Sequence, residues 1–140
     1  MTPNPTDVDD RSTEHETSSY YVLGSRHVGP AVARRLRVND HTVCVLDELN
    51  GRSETSGFEG DQIDVQTLET AGVGAASAVV VATESDSRNL LIAQLVRACF
   101  DVTNIIVLTN VPEHFDMFRE AGHNPVCATS ALSDALVNTI

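Results

Sequence analysis

The sequence predicts an α/β fold, a doubly wound parallel sheet in a three-layer αβα sandwich. Three observations carry this expectation. From Tyr20 onward, short apolar or β-branched runs alternate with segments of helical spacing, an order that implies parallel strands joined by right-handed crossovers. Ala78 to Ala82 (AVVVA) is apolar at every position, as a strand covered on both faces must be. The segment from Gly24 to Gly29 lies where the first apolar run gives way to the first helical pattern, which is where such folds make their first tight turn.

Met1 to Ser19 contains Pro3 and Pro5, a single aliphatic residue, Val8, and five acids against Arg11. It cannot bury enough surface to offset its ordering entropy and reads as a disordered acidic tail, with the domain spanning 20–140. Tyr20 to Leu23 is a buried-strand run ending at Gly24. Val28 to Val38 has helical spacing, with Val32 and Leu36 on one face and Arg34, Arg35 and Arg37 elsewhere. Pro30 sits in its first turn, where a missing N–H costs nothing. Thr42 to Leu46 (TVCVL) is the second strand, and Asn50-Gly51 marks a turn. Gly51 to Gly60 is poor in apolar residues, so a third strand there would be short and at the sheet margin.

Val65 to Ala71 reads as a short helix closed by Gly72. After the AVVVA strand, Ser85, Asp86 and Ser87 offer N-caps for a helix running to Arg97 or Phe100. Ile105 to Leu108 is the next strand, Glu113 to Ala121 a helix, and Val126 to Ala128 a short strand. Leu132, Leu136, Val137 and Ile140 form an apolar stripe on a final helix. The stripe either caps the sheet of its own domain or packs against a second copy, and a homodimer is the expected assembly.

The chain has 140 residues, 20 acidic and 9 basic, with a formal net charge of -11. At this length a single domain is expected, since a chain of about 150 residues buries roughly 70% of its unfolded surface in one core. All the basic residues are arginine and lysine is absent. The acidic balance argues against binding a nucleic-acid backbone or an anionic membrane surface. Absent lysine with abundant Asp and Thr fits a protein adapted to concentrated salt, as in a halophilic archaeon, where screening relieves self-repulsion. No apolar stretch approaches a membrane span and no signal-peptide profile is present, so a cytoplasmic location is expected. The three cysteines, Cys44, Cys99 and Cys127, are far apart and among apolar neighbours, and read as reduced packing residues. The five histidines show neither i, i+4 pairing nor cysteine company, so no metal site is expected.

The chemistry gathers at Gly24-Ser25-Arg26-His27-Val28-Gly29 and at Asp47, which closes the second strand. In a dinucleotide-binding Rossmann-like turn the first glycine permits the bend, the last allows helix and strand to pack closely, and the helix N-terminus faces a pyrophosphate. The terminal carboxylate takes the ribose hydroxyls. Asp47 beside Glu48 would repel a 2′-phosphate, which favours NAD or NADH, or AMP, ADP or ATP, over NADP. Arg26 stands where a second glycine normally lets the backbone approach the phosphates. It either pairs with the pyrophosphate or crowds the site. Asp86 and Asn89 either shape a ligand edge or, for Asp86, merely cap a helix.

Further residues join this set in order: Leu46-Asp47, Gly60-Asp61, Leu68-Glu69-Thr70-Ala71-Gly72-Val73, Val79 to Thr83 followed by Asp86 and Asn89-Leu90-Leu91, and Glu120-Ala121-Gly122. With the glycine loop they resemble the nucleotide-binding lobe of the RCK domain, also called TrkA-N or KTN, a family of regulators of potassium channels and transporters. The resemblance covers Tyr20 to Ile140. It implies that Asp61 and Gln62 lie near an adenine, and that Ala82, Thr83 and Glu84 line the ribose and phosphate side. The family often carries an arginine after the strand that ends here near Thr109-Asn110, and this chain has none there.

The resemblance also implies a ligand-sensing regulatory domain that binds NAD(H) or an adenine nucleotide and acts on a membrane potassium channel or transporter. Local sequence singles out no nucleophile, base or carboxylate pair, and no second lobe follows to present a substrate, so catalysis is not expected. The alternatives are a nucleotide-binding lobe of a larger enzyme, such as a fused phosphoesterase, or a fragment of an NAD-dependent oxidoreductase.

Overall fold

In a computed structural model, the described residues are 19–24, 28–47 and 64–140. Their elements, in chain order, are β1 (Ser19–Gly24), α1 (Val28–Val38), β2 (Thr42–Asp47), α2 (Val65–Ala71), β3 (Ala78–Ala82), α3 (Asp86–Phe100), β4 (Ile105–Thr109), α4 (Phe115–Glu120), β5 (Asn124–Cys127) and α5 (Ala128–Thr139). The strands form one parallel sheet in the order β2-β1-β3-β4-β5. The chain therefore steps one way from β1 to β2, and the other way from β3 through β5. Right-handed crossovers place the connecting helices of those two directions on opposite faces of the sheet. The doubly wound sandwich expected from the sequence is the fold found.

Ser19 pairs with Thr42 as the first residue of β1, so the strand begins one residue inside the segment read as tail. The rest of that tail and the marginal strand expected within 51–60 lie outside the described residues. The helix expected over 113–121 is divided. Pro112, with its fixed φ, starts a single 3-10 turn to His114, and α4 follows from Phe115.

The main core lies between the sheet and α2, α3 and α4. Leu23, Val79, Val81, Ile105 and Val107 supply the sheet side, and Leu68, Ile92, Val96 and Phe118 supply the helices. Phe118 is completely buried. On the other face α1 buries Gly29 and Ala33 against the sheet while its arginines stay in solvent. The ends of α2 are defined by local chemistry. Asp64 accepts the Thr67 backbone N–H and hydroxyl, each at 2.9 Å, and that N–H in particular holds its carboxyl below the usual value. Gly72 closes the helix at φ 85°, a left-handed backbone that side chains disfavour. The Tyr21 hydroxyl donates to Ala71 O at 2.8 Å, tying that end to β1.

The cysteines do not form core as expected: Cys99 is exposed, Cys44 and Cys127 are half-buried, and all three are unbridged. Cys127 opens α5, where the Ser130 backbone N–H, and after it the Ser130 hydroxyl, draw the thiol below its ordinary pKa. His123 is instead a core residue. Burial, with a further contribution from Arg97, pushes its imidazole below the ordinary value, so the ring packs as a neutral group. Among the described residues no group of three His, Cys, Asp or Glu side chains is placed to hold a metal, and no helix is long and apolar enough to cross a membrane.

Candidate functional site

Parallel register aligns three strand ends: Gly24 of β1 stands between Asp47 of β2 and Ala82 of β3. Because the chain winds in opposite directions from this point, the crevice beyond β1 and β3 is the topological switch point, where open α/β sheets bind ligands. The two glycines of the loop are needed here for space, since neither has a left-handed φ. A Cβ on Gly24 would stand 2.8 Å from Ala82 O and 3.4 Å from Gly29 Cα. A Cβ on Gly29 would meet the Gly24 carbonyl carbon and Cα at 3.3 Å. Strand, neighbouring strand and helix start thus converge to backbone contact.

That contact brings the N-terminus of α1 to the crevice. Its first turn carries no acidic residue, so the N–H groups that have no intrahelical partner, with the helix dipole, favour an anion there. Val28 at its start is exposed. Ser25, Arg26 and His27 of the loop, and Glu48, Asp61 and Gln62, lie outside the described residues, as does the side chain of Asp47.

At the exit of β3, Ala82 and Thr83 are buried and Glu84 is exposed. The Thr83 side chain is fully engaged inside the protein. Its hydroxyl donates to Asn89 Oδ1 at 2.5 Å and accepts from Ser85 N at 3.2 Å. The Thr83 N–H also donates to Asn89 Oδ1, at 3.0 Å. Asn89 Nδ2 returns a bond to Thr83 O at 3.2 Å and another to Leu108 O at 2.9 Å. One fully buried carboxamide therefore fixes the ends of β3 and β4 together.

The cap of α3 is Ser85, whose hydroxyl accepts from Arg88 N at 3.2 Å. Asp86 is therefore not a helix cap. Its carboxylate reaches across to the segment after β4, accepting Asn110 N at 2.7 Å, Asn110 Nδ2 at 2.9 Å and Val111 N at 2.9 Å. His114 Nδ1 lies 2.7 Å from the other side of the same carboxylate. Burial alone would raise the Asp86 carboxyl; the donors, led by the Asn110 N–H, outweigh it and hold it below its ordinary value. It is thus an anion at neutral pH. Asn110 Nδ2 also reaches Thr83 O, at 3.2 Å.

Sequence reasoning singled out Thr83, Asp86 and Asn89 but missed Asn110 and His114 as their partners. Thr109-Asn110 is the place where the resemblance expects an arginine. The clue was the run Thr-x-x-Asp-x-x-Asn from 83 to 89 at the mouth of a helix, three polar side chains beside a buried strand that require partners from the next strand.

The TrkA-N domain profile matches residues 20–129. The Trk system potassium uptake protein TrkA of Streptomyces coelicolor is 26% identical over 126 residues, covering 85% of this chain and 56% of that protein. A Trk system potassium uptake protein TrkA homolog of Methanothermobacter thermautotrophicus is 29% identical over 108 residues, covering 72% of this chain and 50% of that one. Among solved structures, the NAD(P)-binding domain of an exopolyphosphatase-related protein from Archaeoglobus fulgidus superposes with a TM-score of 0.69 at 26% identity, over 86% of this chain and 95% of that one. A GsuK channel bound to NAD superposes with a TM-score of 0.72 at 23% identity, over 98% of this chain and 24% of that one, a likeness of fold. The chain spans about half the length of the two Trk relatives. With the profile matched across most of its length and the fold in agreement, the chain belongs to the TrkA-N domain family.

Proposed function

We propose that this chain is a ligand-sensing regulatory lobe that binds NAD(H) or an adenine nucleotide at the switch point and thereby regulates potassium transport through a membrane channel or transporter. The observation that carries the reading is the Gly24–Gly29 contact, which brings an acid-free helix N-terminus against two strand ends. The names of the Trk relatives point to potassium as the cargo, and those of the Archaeoglobus NAD(P)-binding domain and the NAD-bound GsuK channel point to the ligand class. In this reading the loop from Gly24 through Ser25, Arg26, His27 and Val28 to Gly29 holds the phosphates. Asp47 and Glu48 take the ribose hydroxyls. Asp61 and Gln62 lie by the adenine, and Ala82, Thr83 and Glu84 bound the opposite side.

The role is regulatory rather than catalytic, and it is exercised in the cytoplasm beside a membrane partner. Gating requires the nucleotide to bind one conformer more tightly than the other, because equal affinity shifts nothing. The test is a calorimetric and thermal-melt titration with NAD, NADH, ATP, ADP and AMP in concentrated salt, which screens the negative protein from an anionic ligand. At least one should saturate and raise the melting temperature, with a stabilisation approaching about 2.7 kcal/mol at a hundredfold excess over Kd. NADP should bind at least about tenfold more weakly than NAD, a difference of roughly 1.4 kcal/mol from the carboxylates at 47 and 48. Silence with all five nucleotides would overturn the assignment.

The regulatory unit is a homodimer. Helix α5 buries no residue on its own domain and leaves Leu132, Leu136 and Val137 exposed. The α1-side residues Val80, Ile106 and Leu108 are half-buried, and Val126, in register with Leu108, is exposed. Two copies can cover these surfaces reciprocally. Light scattering should return twice the chain mass for the wild type and the monomer mass for Leu136→Asp; a monomeric wild type would remove the dimer from the reading.

A further inference from the structure

Asn110 occupies a singular place in the polar network. Its Nδ2 lies 3.2 Å from Thr83 O, at the end of β3, and 2.9 Å from Asp86 Oδ1. Its own backbone N–H is held by the same carboxylate at 2.7 Å. Two residues later Pro112 begins the turn that leads through His114 into α4, and His114 is again tied to Asp86. One carboxamide therefore connects the strand end bordering the switch-point crevice to the segment that sets the start of α4. The Thr83 carbonyl is also held by Asn89 Nδ2, so the peptide cannot turn without disturbing both amides.

We infer that Asn110 is a positioning residue through which occupancy of the switch-point site is felt at the start of α4. This rests on the nucleotide-binding reading above. A ligand bounded by Ala82 and Glu84 restrains the Thr83 peptide between them. That restraint reaches Asn110 Nδ2 directly, and through Asp86 it reaches the N–H groups of Asn110 and Val111. A tighter Thr83 peptide makes opening of the 110–114 segment rarer, and amide exchange reports such opening directly. Met117 and Val111 are exposed on this segment and its helix, so a change there is presented at the surface.

The experiment is amide hydrogen exchange on the full chain, free and saturated with NADH and, separately, ADP. In the wild type, the Asn110 and Val111 amides should exchange at least about fivefold more slowly with a bound nucleotide. Asn110→Ala should keep nucleotide affinity within about threefold yet lose this ligand-linked slowing at Val111. His114→Phe removes a different contact to Asp86 and spares the bridge to Thr83, so it should retain the slowing; this separates coupling from general loosening of the loop. Wild-type binding without slowing, or equal slowing in Asn110→Ala, would overturn the inference and leave the nucleotide reading standing. Failure of the wild type to bind either nucleotide would overturn both.

Discussion

Gly24→Ala is expected to weaken nucleotide binding by at least about tenfold and to cost roughly 1–3 kcal/mol of stability. The added Cβ would lie 2.8 Å from Ala82 O and 3.2 Å from Ala82 C. Both are backbone atoms of the neighbouring strand, so no rotamer change relieves the contact. Either β1 and β3 separate at the pair Gly24–Ala82, or the loop withdraws α1 from the strand ends. The first breaks the sheet at its switch point, and the second removes the helix N-terminus from the anion it would hold. Gly29→Ala meets Gly24 backbone atoms at 3.3 Å, a tightness that a shift of a few tenths of an ångström absorbs, so its effects should run the same way and be smaller. Gly74→Ala is the control, because its Cβ would meet Phe100 Cδ1 at an ordinary 3.8 Å. Thermal melts and calorimetry on the three variants check this ordering. A Gly24→Ala protein with wild-type affinity and melting temperature would show that the close approach is unimportant.

The strands and helices were legible where burial imposes periodicity. AVVVA is apolar at every position because helices pack on both sides of a central parallel strand, and β3 has the bounds that pattern suggests. Val65 to Ala71 was legible through its closing glycine, and that residue has the left-handed φ the reading requires. The approach of Gly24 and Gly29 was likewise readable, because a residue without a Cβ between a strand and a helix implies a backbone contact. The division of the segment expected as a helix over 113–121 was not, since the 3-10 turn from Pro112 to His114 runs directly into α4. Cysteines were misread because apolar neighbours in sequence do not fix which face a residue takes. Cys99 lies on the solvent side of α3, whose buried positions Asn89, Ile92, Ala93 and Val96 recur at helical spacing and leave it out. The bridge from Asp86 to Asn110 and His114 spans 24 and 28 residues. No local pattern encodes such a pairing, which depends on β3 and β4 being neighbours. A capping role for Asp86 was reasonable from position alone; the neighbouring Ser85 takes it and frees the carboxylate for the longer reach.

Asn89→Ala is expected to be the more destabilising change, by about 3 kcal/mol, because it leaves buried groups without partners. The carboxamide accepts from the Thr83 N–H and hydroxyl and donates to the carbonyls of Thr83 and Leu108, all around a residue with 0% exposure. Removing it orphans a donor on one strand end and an acceptor on the other. The cost of an unsatisfied buried group, about 1–3 kcal/mol, exceeds the net worth of the bonds themselves. Asn89→Asp sharpens the test because it keeps the shape and the acceptor while losing both donors. At neutral pH a buried carboxylate would then face two carbonyl oxygens, and its folded pKa would rise above the unfolded value of about 3.9. The sign follows from linkage. Below the unfolded pKa both states are protonated and ionisation carries no penalty; the penalty grows as pH rises through the folded pKa. The stability gap between wild type and Asn89→Asp should therefore be narrow near pH 4 and widest at neutral pH, whereas the gap for Asn89→Ala should not follow that titration. Urea unfolding of the three proteins across this range measures it. A pH-independent gap for Asn89→Asp would mean that solvent reaches the carboxamide and that the ends of β3 and β4 are not sealed by it.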